Sequence, residues 1–259
     1  MTITQKKIHP ADLIPMNLCA AYVPLQIHLA YAKDASPNIF GRIYHEHAQL
    51  WLHRDLAKIV CLSAAIVHLK YGYNLVLYDG LRTVEAQSKM AESGIVKANP
   101  HWMEEPRLLS PPGAGAHPRG MAIDMSLLDK GGCLVDMGTE FDYLAADQGA
   151  DHNPAHRSYT RLETAHKKNR DMLNEAVCKA AFDLDYDLDF LAQEWWDFRF
   201  KKEYYEQFSP LSDDDLPPEM RMVNTAACEN FKEIYAPRAE EIIAEMKDLA
   251  DIASVITAP

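Results

Sequence analysis

The sequence Gly115-Ala116-His117-Pro118-Arg119-Gly120-Met121-Ala122-Ile123-Asp124 leads from a loop rich in proline and glycine into an apolar strand. His117 and Asp124 are seven residues apart, and an odd separation along a straight strand sends two side chains to opposite faces. A bend near Gly120 would instead let both side chains face one cavity. Imidazole and carboxylate are both zinc ligands. Taken alone, the pair also fits a surface histidine and an edge-strand aspartate, which is the commoner arrangement.

Helical and strand-like segments lie on both sides of this stretch. The apolar spacing is helical in three segments: 46–70, 83–93 and 164–181. Residues that favour strands dominate three others: 73–79, 121–127 and 187–200. We expect Gly72 and Gly94 to end helices and Thr83 to cap one. This mixture predicts an α+β fold with a small, mostly antiparallel central sheet and flanking helices.

The composition excludes several classes of protein. The chain has 259 residues and a formal net charge of −12, which argues against nucleic acid or an anionic membrane as the main partner. Its five cysteines include no CxxC pair, so a cysteine-rich zinc module and a disulfide framework are excluded. There is no apolar run close to the roughly 20 residues of a membrane span, and no secretory signal is visible. We therefore expect a cytoplasmic protein.

The C-terminal part has a different pattern. Asp213, Asp214, Asp215 and the Pro217-Pro218 pair predict a linker or turn, and 219–255 is helical in its spacing. We expect a main domain, 1–205, and a helical C-terminal extension, 206–259. The extension carries an apolar stripe that has to be buried: Ile234, Ile242, Ile243, Met246, Leu249, Ile252 and Val255. It can fold back on its own domain or pair with a second chain, and we expect a homodimer through these helices.

Two further segments carry ionisable side chains. Glu194-Trp195-Trp196-Asp197-Phe198 places two carboxylates inside an aromatic run, where a metal ion would be a suitable partner. The alternative is an edge strand with both carboxylates in solvent. Tyr78-Asp79-Gly80-Leu81-Arg82-Thr83 ends a strand with an arginine that either holds an anion or lies on the surface.

Together, the order D-G-x-R, H-x-x-G-x-A-x-D and E-W-W-x-F resembles the VanX-type D-alanyl-D-alanine dipeptidases, which are zinc D,D-peptidases. The resemblance covers roughly residues 20 to 205. Three more stretches look like that family: His28-Leu29-Ala30-Tyr31-Ala32, Asn38-Ile39-Phe40-Gly41 with Tyr44, and Asp136-Met137-Gly138-Thr139-Glu140-Phe141-Asp142.

The resemblance implies a role for each matching residue. His117 and Asp124 are zinc ligands, and Glu194 is the base that takes a proton from the zinc-bound water and passes it to the leaving amine. Arg82 stabilises the tetrahedral oxyanion, and Asp142 holds the free ammonium of the dipeptide. The implied cofactor is one Zn²⁺ per chain, and the implied substrate is a small dipeptide.

The chain departs from the family at two positions. The family has histidine, its third zinc ligand, directly after E-W-W, where this chain has Asp197. One possibility is that Asp197 is the third ligand, which would make the site less selective for zinc over other divalent ions. A second is that a histidine from elsewhere completes the site, with His152, His156 and His166 as candidates. A third is that the site no longer binds metal well. The second departure is Gly115, where the family usually has a serine associated with substrate contact.

Three functions are therefore open. The first is metal-dependent hydrolysis of D-alanyl-D-alanine or a related small D,D-dipeptide. The second is a D,D-carboxypeptidase that acts on peptidoglycan stem peptides, and the third is a catalytically silent relative that binds peptide. Because a pure binding module has no need for a base such as Glu194, we favour the first.

Overall fold

The computed structural model describes residues 5–35, 38–104, 107–224 and 228–247. Its architecture is α+β, as predicted. The α-helices are α1 (Met16–Cys19), α2 (Arg54–Tyr71), α3 (Val84–Ala91), α4 (Gly94–Ala98), α5 (Thr164–Asp183), α6 (Lys202–Tyr205) and α7 (Phe231–Lys247). The strands are β1 (Leu13–Pro15), β2 (Leu25–Ile27), β3 (Trp51–His53), β4 (Asn74–Asp79), β5 (Ala122–Leu128), β6 (Leu188–Asp189) and β7 (Asp197–Phe200).

Five strands form the central sheet in the order β2-β4-β5-β7-β6. Only β2 and β4 are parallel, so the sheet is mostly antiparallel, as expected. β1 and β3 form a separate antiparallel pair. The register of the central sheet places Asp79 opposite Asp124 and Asp124 opposite Asp197, on three neighbouring strands. The pairing of these strands therefore brings three carboxylates together at one place in the sheet.

Helix α2 is shorter than its apolar pattern. The pattern begins near residue 46, but Trp51–His53 pairs with β1, and the helix begins at Arg54. Because β3 is buried along its whole length, its apolar residues continue the helical pattern without being helical. The helix ends as predicted at Gly72, which has a left-handed φ of 69°.

Two local predictions were wrong, and a third was right in position only. Gly94 does not end a helix: α3 ends at Ala91, and Gly94 is the first residue of α4. Thr83 is the N-cap residue of α3, as predicted, but its hydroxyl makes no cap bond and donates to the carboxylate of Asp213, 2.8 Å away. In the predicted strand 187–200, only β6 and β7 are strands, and the turn between them carries Glu194.

The predicted linker at 213–218 is a packed part of the fold. Asp213 opens a 3₁₀-helix, Asp213–Asp215, and its side chain is buried. Its carboxylate accepts backbone N–H bonds from Met222, Val223 and Asn224. Because a buried carboxylate needs such donors, this contact joins the segment before α7 to the N-terminal end of α3.

The C-terminal helix α7 folds back on its own chain. It packs against α1, α2 and β1, and Ile242, Ile243 and Met246 of the apolar stripe are buried there. Arg54 of α2 forms an ion pair with Glu241, 2.7 Å away. Ile234 is half exposed, and the last three members of the stripe, Leu249, Ile252 and Val255, lie outside the described residues. The homodimer stays a prediction, as does the division of the chain at residue 205.

Across the described ranges, the helices are all too short or too polar to cross a lipid bilayer.

Candidate active site

Three aspartates stand in a row across the central strands. Asp79 ends β4, Asp124 lies in β5 and Asp197 begins β7, and the register pairs each with its neighbour. Asp79 and Asp197 are completely buried, and Asp124 is 3% exposed. Because like charges directly opposite one another destabilise a sheet, this row requires positive charge around it.

His117 faces the row from the loop before β5. It begins a short 3₁₀-helix that ends at Gly120, whose left-handed φ of 63° makes the predicted bend. A Cβ on Gly120 would lie 3.0 Å from the backbone nitrogen of His53, so this turn suits glycine. The Nδ1 atom of His117 lies 2.8 Å from the carbonyl oxygen of Gly80. A proton on Nδ1 serves that bond and leaves the Nε2 lone pair toward the aspartates.

Two arginines hold the outer aspartates of the row. The Nε and Nη2 atoms of Arg82 donate to one oxygen of Asp79, at 2.9 and 2.7 Å, and the Tyr44 hydroxyl donates to the other at 2.5 Å. Arg199 donates from Nε and Nη2 to the two oxygens of Asp197, at 2.6 and 2.5 Å. Burial alone would raise the pKa of Asp197, but Arg199 and His117 hold it well below its usual value. Asp197 is therefore charged, and each oxygen of both outer aspartates accepts at least one hydrogen bond.

The middle aspartate, Asp124, is not satisfied in this way. Its Oδ1 atom is buried and has no hydrogen-bond partner among the described residues, and its nearest arginine nitrogen, Nη2 of Arg82, is 3.8 Å from Oδ2. Burial and the negative charges of Asp197 and Asp79 raise the pKa of Asp124 well above its usual value. A buried acceptor of this kind among carboxylates fits a divalent cation.

Two overlapping groups of side chains have metal-binding geometry: Asp79 with His117 and Asp124, and Asp124 with Glu194 and Asp197. Asp79 already binds Arg82 and Tyr44, and His117 meets Asp79 through Nδ1, which faces Gly80. The Nε2 atom of His117 instead lies 3.7 Å from Oδ1 of Asp124 and 3.4 Å from Oδ2 of Asp197. Neither group contains His117, Asp124 and Asp197 together, and Asp124 is the residue common to both groups.

Glu194 lies beside this set, in the turn between β6 and β7. Burial and the charge of Asp197 raise the pKa of Glu194 to about 8. Its position depends on the neighbouring tryptophan, because Nε1 of Trp195 donates to the Thr139 hydroxyl at 2.7 Å. That bond joins the E-W-W turn to the stretch that carries Asp142.

Asp142 supplies a second unpartnered carboxylate oxygen. Its Oδ1 atom accepts a hydrogen bond of 2.9 Å from the Tyr31 hydroxyl, whereas its buried Oδ2 has no partner among the described residues. Its backbone adopts a φ of 60°, in the left-handed region that non-glycine residues seldom use. Burial raises the pKa of Asp142 to about 7. The carboxylate is thus positioned, at some local cost, to receive a proton or a cationic group.

These side chains share the wall of one small cavity of about 70 Å³. Arg82, His117, Asp124, Asp142, Glu194 and Arg199 line it. Ser110 and Gly115 line it as well, and a Cβ on Gly115 would lie 3.1 Å from the Ser110 hydroxyl oxygen. The Ser110 hydroxyl thus lies next to the point where a side chain at position 115 would begin.

The alternative histidines contact other residues. His152 lies 3.1 Å from Asp147 and His166 lies 3.1 Å from Asp136, while Nδ1 of His156 accepts from the backbone of Ser158. None of the three is among the described residues that line the cavity. The structure thus brings together all six residues proposed from the sequence: Arg82, His117, Asp124, Asp142, Glu194 and Asp197.

Two members of the site, Asp79 and Arg199, are not among the residues predicted from the sequence. Asp79 ends the strand before Arg82, and its position at that strand end was the available signal. Arg199 had a different signal. It follows Asp197 by two residues in a strand, which places both side chains on one face, so strand periodicity was the available signal.

Comparison with known proteins gives two findings. A family model described as D-ala-D-ala dipeptidase matches residues 13–212. The chain is also 28% identical, over 184 residues, to the D-alanyl-D-alanine dipeptidase of Escherichia coli K12. That alignment covers 71% of this chain and 82% of the relative.

Proposed function

Since the chain belongs to the D-ala-D-ala dipeptidase family, we propose that it hydrolyses D-alanyl-D-alanine or a related small D,D-dipeptide. The observation that carries this proposal is the presence of two unpartnered, buried carboxylate oxygens, of Asp124 and Asp142, in the wall of one cavity. One suits a metal ion and the other suits an ammonium group. The small cavity favours a short peptide over a long stem.

His117, Asp124 and Asp197 would hold one divalent ion, with zinc as the first candidate. Such an ion supplies a Lewis acid and lowers the pKa of a bound water to about 7. The three donors offer one imidazole nitrogen and two carboxylate oxygens, which is a harder set than two imidazoles and one carboxylate. Manganese and similar ions are therefore also candidates.

Glu194 is proposed as the general base. Added positive charge beside Asp124 favours the ionised form of Glu194, which then accepts a proton from the attacking water. The same carboxyl group delivers that proton to the leaving amine nitrogen when the peptide bond breaks. A carboxyl group whose pKa lies near neutrality serves both directions of transfer well.

Arg82 and Asp142 are proposed to hold the substrate. Both the fork of Arg82 on Asp79 and its packing over the Tyr31 ring, at 5.2 Å, fix its guanidinium in the cavity wall. It can therefore stabilise the oxyanion that develops on the carbonyl oxygen. The free oxygen of Asp142 accepts the substrate's ammonium, which selects a peptide with a free N-terminus.

Removal of the metal tests this function directly. We expect the purified protein to release alanine from D-alanyl-D-alanine, to lose that activity after dialysis against a chelator, and to regain it with Zn²⁺ or Mn²⁺. Amino-acid release and elemental analysis are the measurements. N-acetyl-D-alanyl-D-alanine serves as the control substrate and should stay intact, because acetylation removes the ammonium that Asp142 binds. A metal-loaded protein that binds the dipeptide without cleaving it would favour the silent relative.

A second prediction concerns Ser110. Its hydroxyl takes the space beside Gly115, so we expect it to make the substrate contact that the family's serine implies. Ser110→Ala should raise KM by about threefold to tenfold and change kcat less, the scale of one neutral hydrogen bond of about 0.5–1.5 kcal/mol. Steady-state kinetics measures both constants. Ser158→Ala, an exposed serine outside the cavity wall, is the matched control, and equal KM values for the two variants would count against this contact.

A further inference from the structure

We propose that Arg199 is a positioning residue for the metal centre, and that Asp197 and Arg199 together take the place of a neutral histidine ligand. This inference rests on the metal site proposed above. It adds a residue that acts through Asp197 and not on the substrate.

The contact between the two side chains is a complete fork. Nε of Arg199 donates to Oδ1 of Asp197 at 2.6 Å, and Nη2 donates to Oδ2 at 2.5 Å. Asp197 is completely buried, and the side chain of Arg199 is 17% exposed. A bidentate pair of this kind fixes the plane of the carboxylate as well as its position. The orientation of Asp197 beside His117 and Asp124 is therefore fixed.

That orientation suits binding through a single oxygen. Oδ2 of Asp197 lies 3.4 Å from Nε2 of His117 and also accepts from Arg199, which uses one of its lone pairs. The remaining lone pair can face an ion held by His117 and Asp124. The fork uses one lone pair of each oxygen, and of the two oxygens it is Oδ2 that lies near His117.

The net charge of the ligand set also supports a role for Arg199. A set of two histidines and one aspartate carries one negative charge, whereas His117, Asp124 and Asp197 carry two. Arg199 cancels one of them inside the same buried cluster. An unpaired carboxylate in the place of Asp197 would lie opposite Asp124 in the sheet, and such a like-charge pair is unfavourable.

The neighbouring aspartate shows what a purely structural pair looks like here. Arg82 donates twice to Oδ2 of Asp79, and Tyr44 satisfies Oδ1, so that this carboxylate is partnered within the protein. Among the described residues, the Asp197 side chain has no such hydroxyl partner, and it faces Arg199 and the imidazole of His117. The pair Asp197–Arg199 is thus directed at the metal ligands.

A double-substitution cycle on the full-length protein tests the proposal. The four proteins are the parent, Asp197→His, Arg199→Gln and the double variant, and the readout is the Zn²⁺ dissociation constant from competition with a chromophoric chelator. Asp197→His alone leaves the cation of Arg199 unpaired beside the ion, so we expect at least about 100-fold weaker binding. The double variant should return to within about tenfold of the parent, because it has a neutral ligand and no unpaired cation.

A second pair of variants covers the case in which Asp197→His does not fold. Arg199→Lys keeps the charge but loses the fork, and we expect about tenfold weaker Zn²⁺ binding and an altered absorption spectrum of the Co²⁺-loaded protein. Arg54→Lys is the control, since the Arg54 guanidinium pairs with Glu241 and Glu245 of α7 and lies outside the cavity wall. It should change neither readout.

The outcomes separate this inference from the proposed function. If the parent binds no Zn²⁺, the metal site is wrong and the inference fails with it. If the parent binds Zn²⁺ but the effects of Asp197→His and Arg199→Gln are independent, or Arg199→Lys leaves affinity and spectrum unchanged, the metal site stands and the role of Arg199 is wrong. Recovery of affinity in the double variant supports the proposal.

Discussion

Glu194→Gln is expected to lower kcat for D-alanyl-D-alanine by at least about 100-fold, the usual scale for loss of a general base. Glutamine keeps the shape of the side chain and loses its basicity. The three proposed ligand atoms belong to other residues, so the metal content should stay near that of the parent. Steady-state kinetics and elemental analysis on the same preparation measure the two effects separately.

The control for this substitution is Glu140→Gln, an exposed glutamate of the stretch that leads to Asp142 and outside the cavity wall. Its kcat should match that of the parent. Undiminished turnover in Glu194→Gln would remove Glu194 from the role of base. A loss of metal together with activity would place it among the ligands, which its proximity to Asp124 and Asp197 also allows.

Truncation after Asp215 is expected to unfold the protein. Among the described residues, the deletion removes seven large buried side chains: Leu216, Met220, Met222, Tyr235, Ile242, Ile243 and Met246. At about 1.5–3 kcal/mol each, the lost burial is on the order of 10 kcal/mol, comparable to the whole stability of a typical domain. It also deprives the buried carboxylate of Asp213 of three backbone N–H donors. Soluble yield, circular dichroism and thermal melting measure the effect.

A matched pair of substitutions in α7 checks the same argument at smaller scale. Ile242 is completely buried and Ile234 is 50% exposed. We expect Ile242→Ala to cost about 2–5 kcal/mol of unfolding free energy and Ile234→Ala to cost well under about 2 kcal/mol. If the truncated chain is instead a soluble, active enzyme, α7 is dispensable, and the sequence-based view of a separate extension is the better description.

The local sequence pattern predicted an element correctly where residue preference and spacing within a short segment decide its structure. The strand before Asp79, the strand that contains Asp124, the stop of α2 at Gly72 and the helix from Thr164 all follow from residue preference and spacing. Pattern failed where burial comes from a distant element. Trp51–His53 is a strand because β1 pairs with it. Asp213 is buried because Thr83, before α3, and the backbone at Met222 both donate to its carboxylate.

The order of the motifs was sufficient to predict six residues of the site, but not Asp79 and Arg199; the six are Arg82, His117, Asp124, Asp142, Glu194 and Asp197. How these groups share charge depends on the tertiary structure. Strand register placed Asp79, Asp124 and Asp197 side by side, the forks of Arg82 and Arg199 satisfied the outer two, and Asp124 kept an unpartnered oxygen. The physical reason is that hydrogen bonds and Coulomb interactions depend on distances of a few ångströms between residues far apart in the chain, and those distances are set by strand pairing and packing.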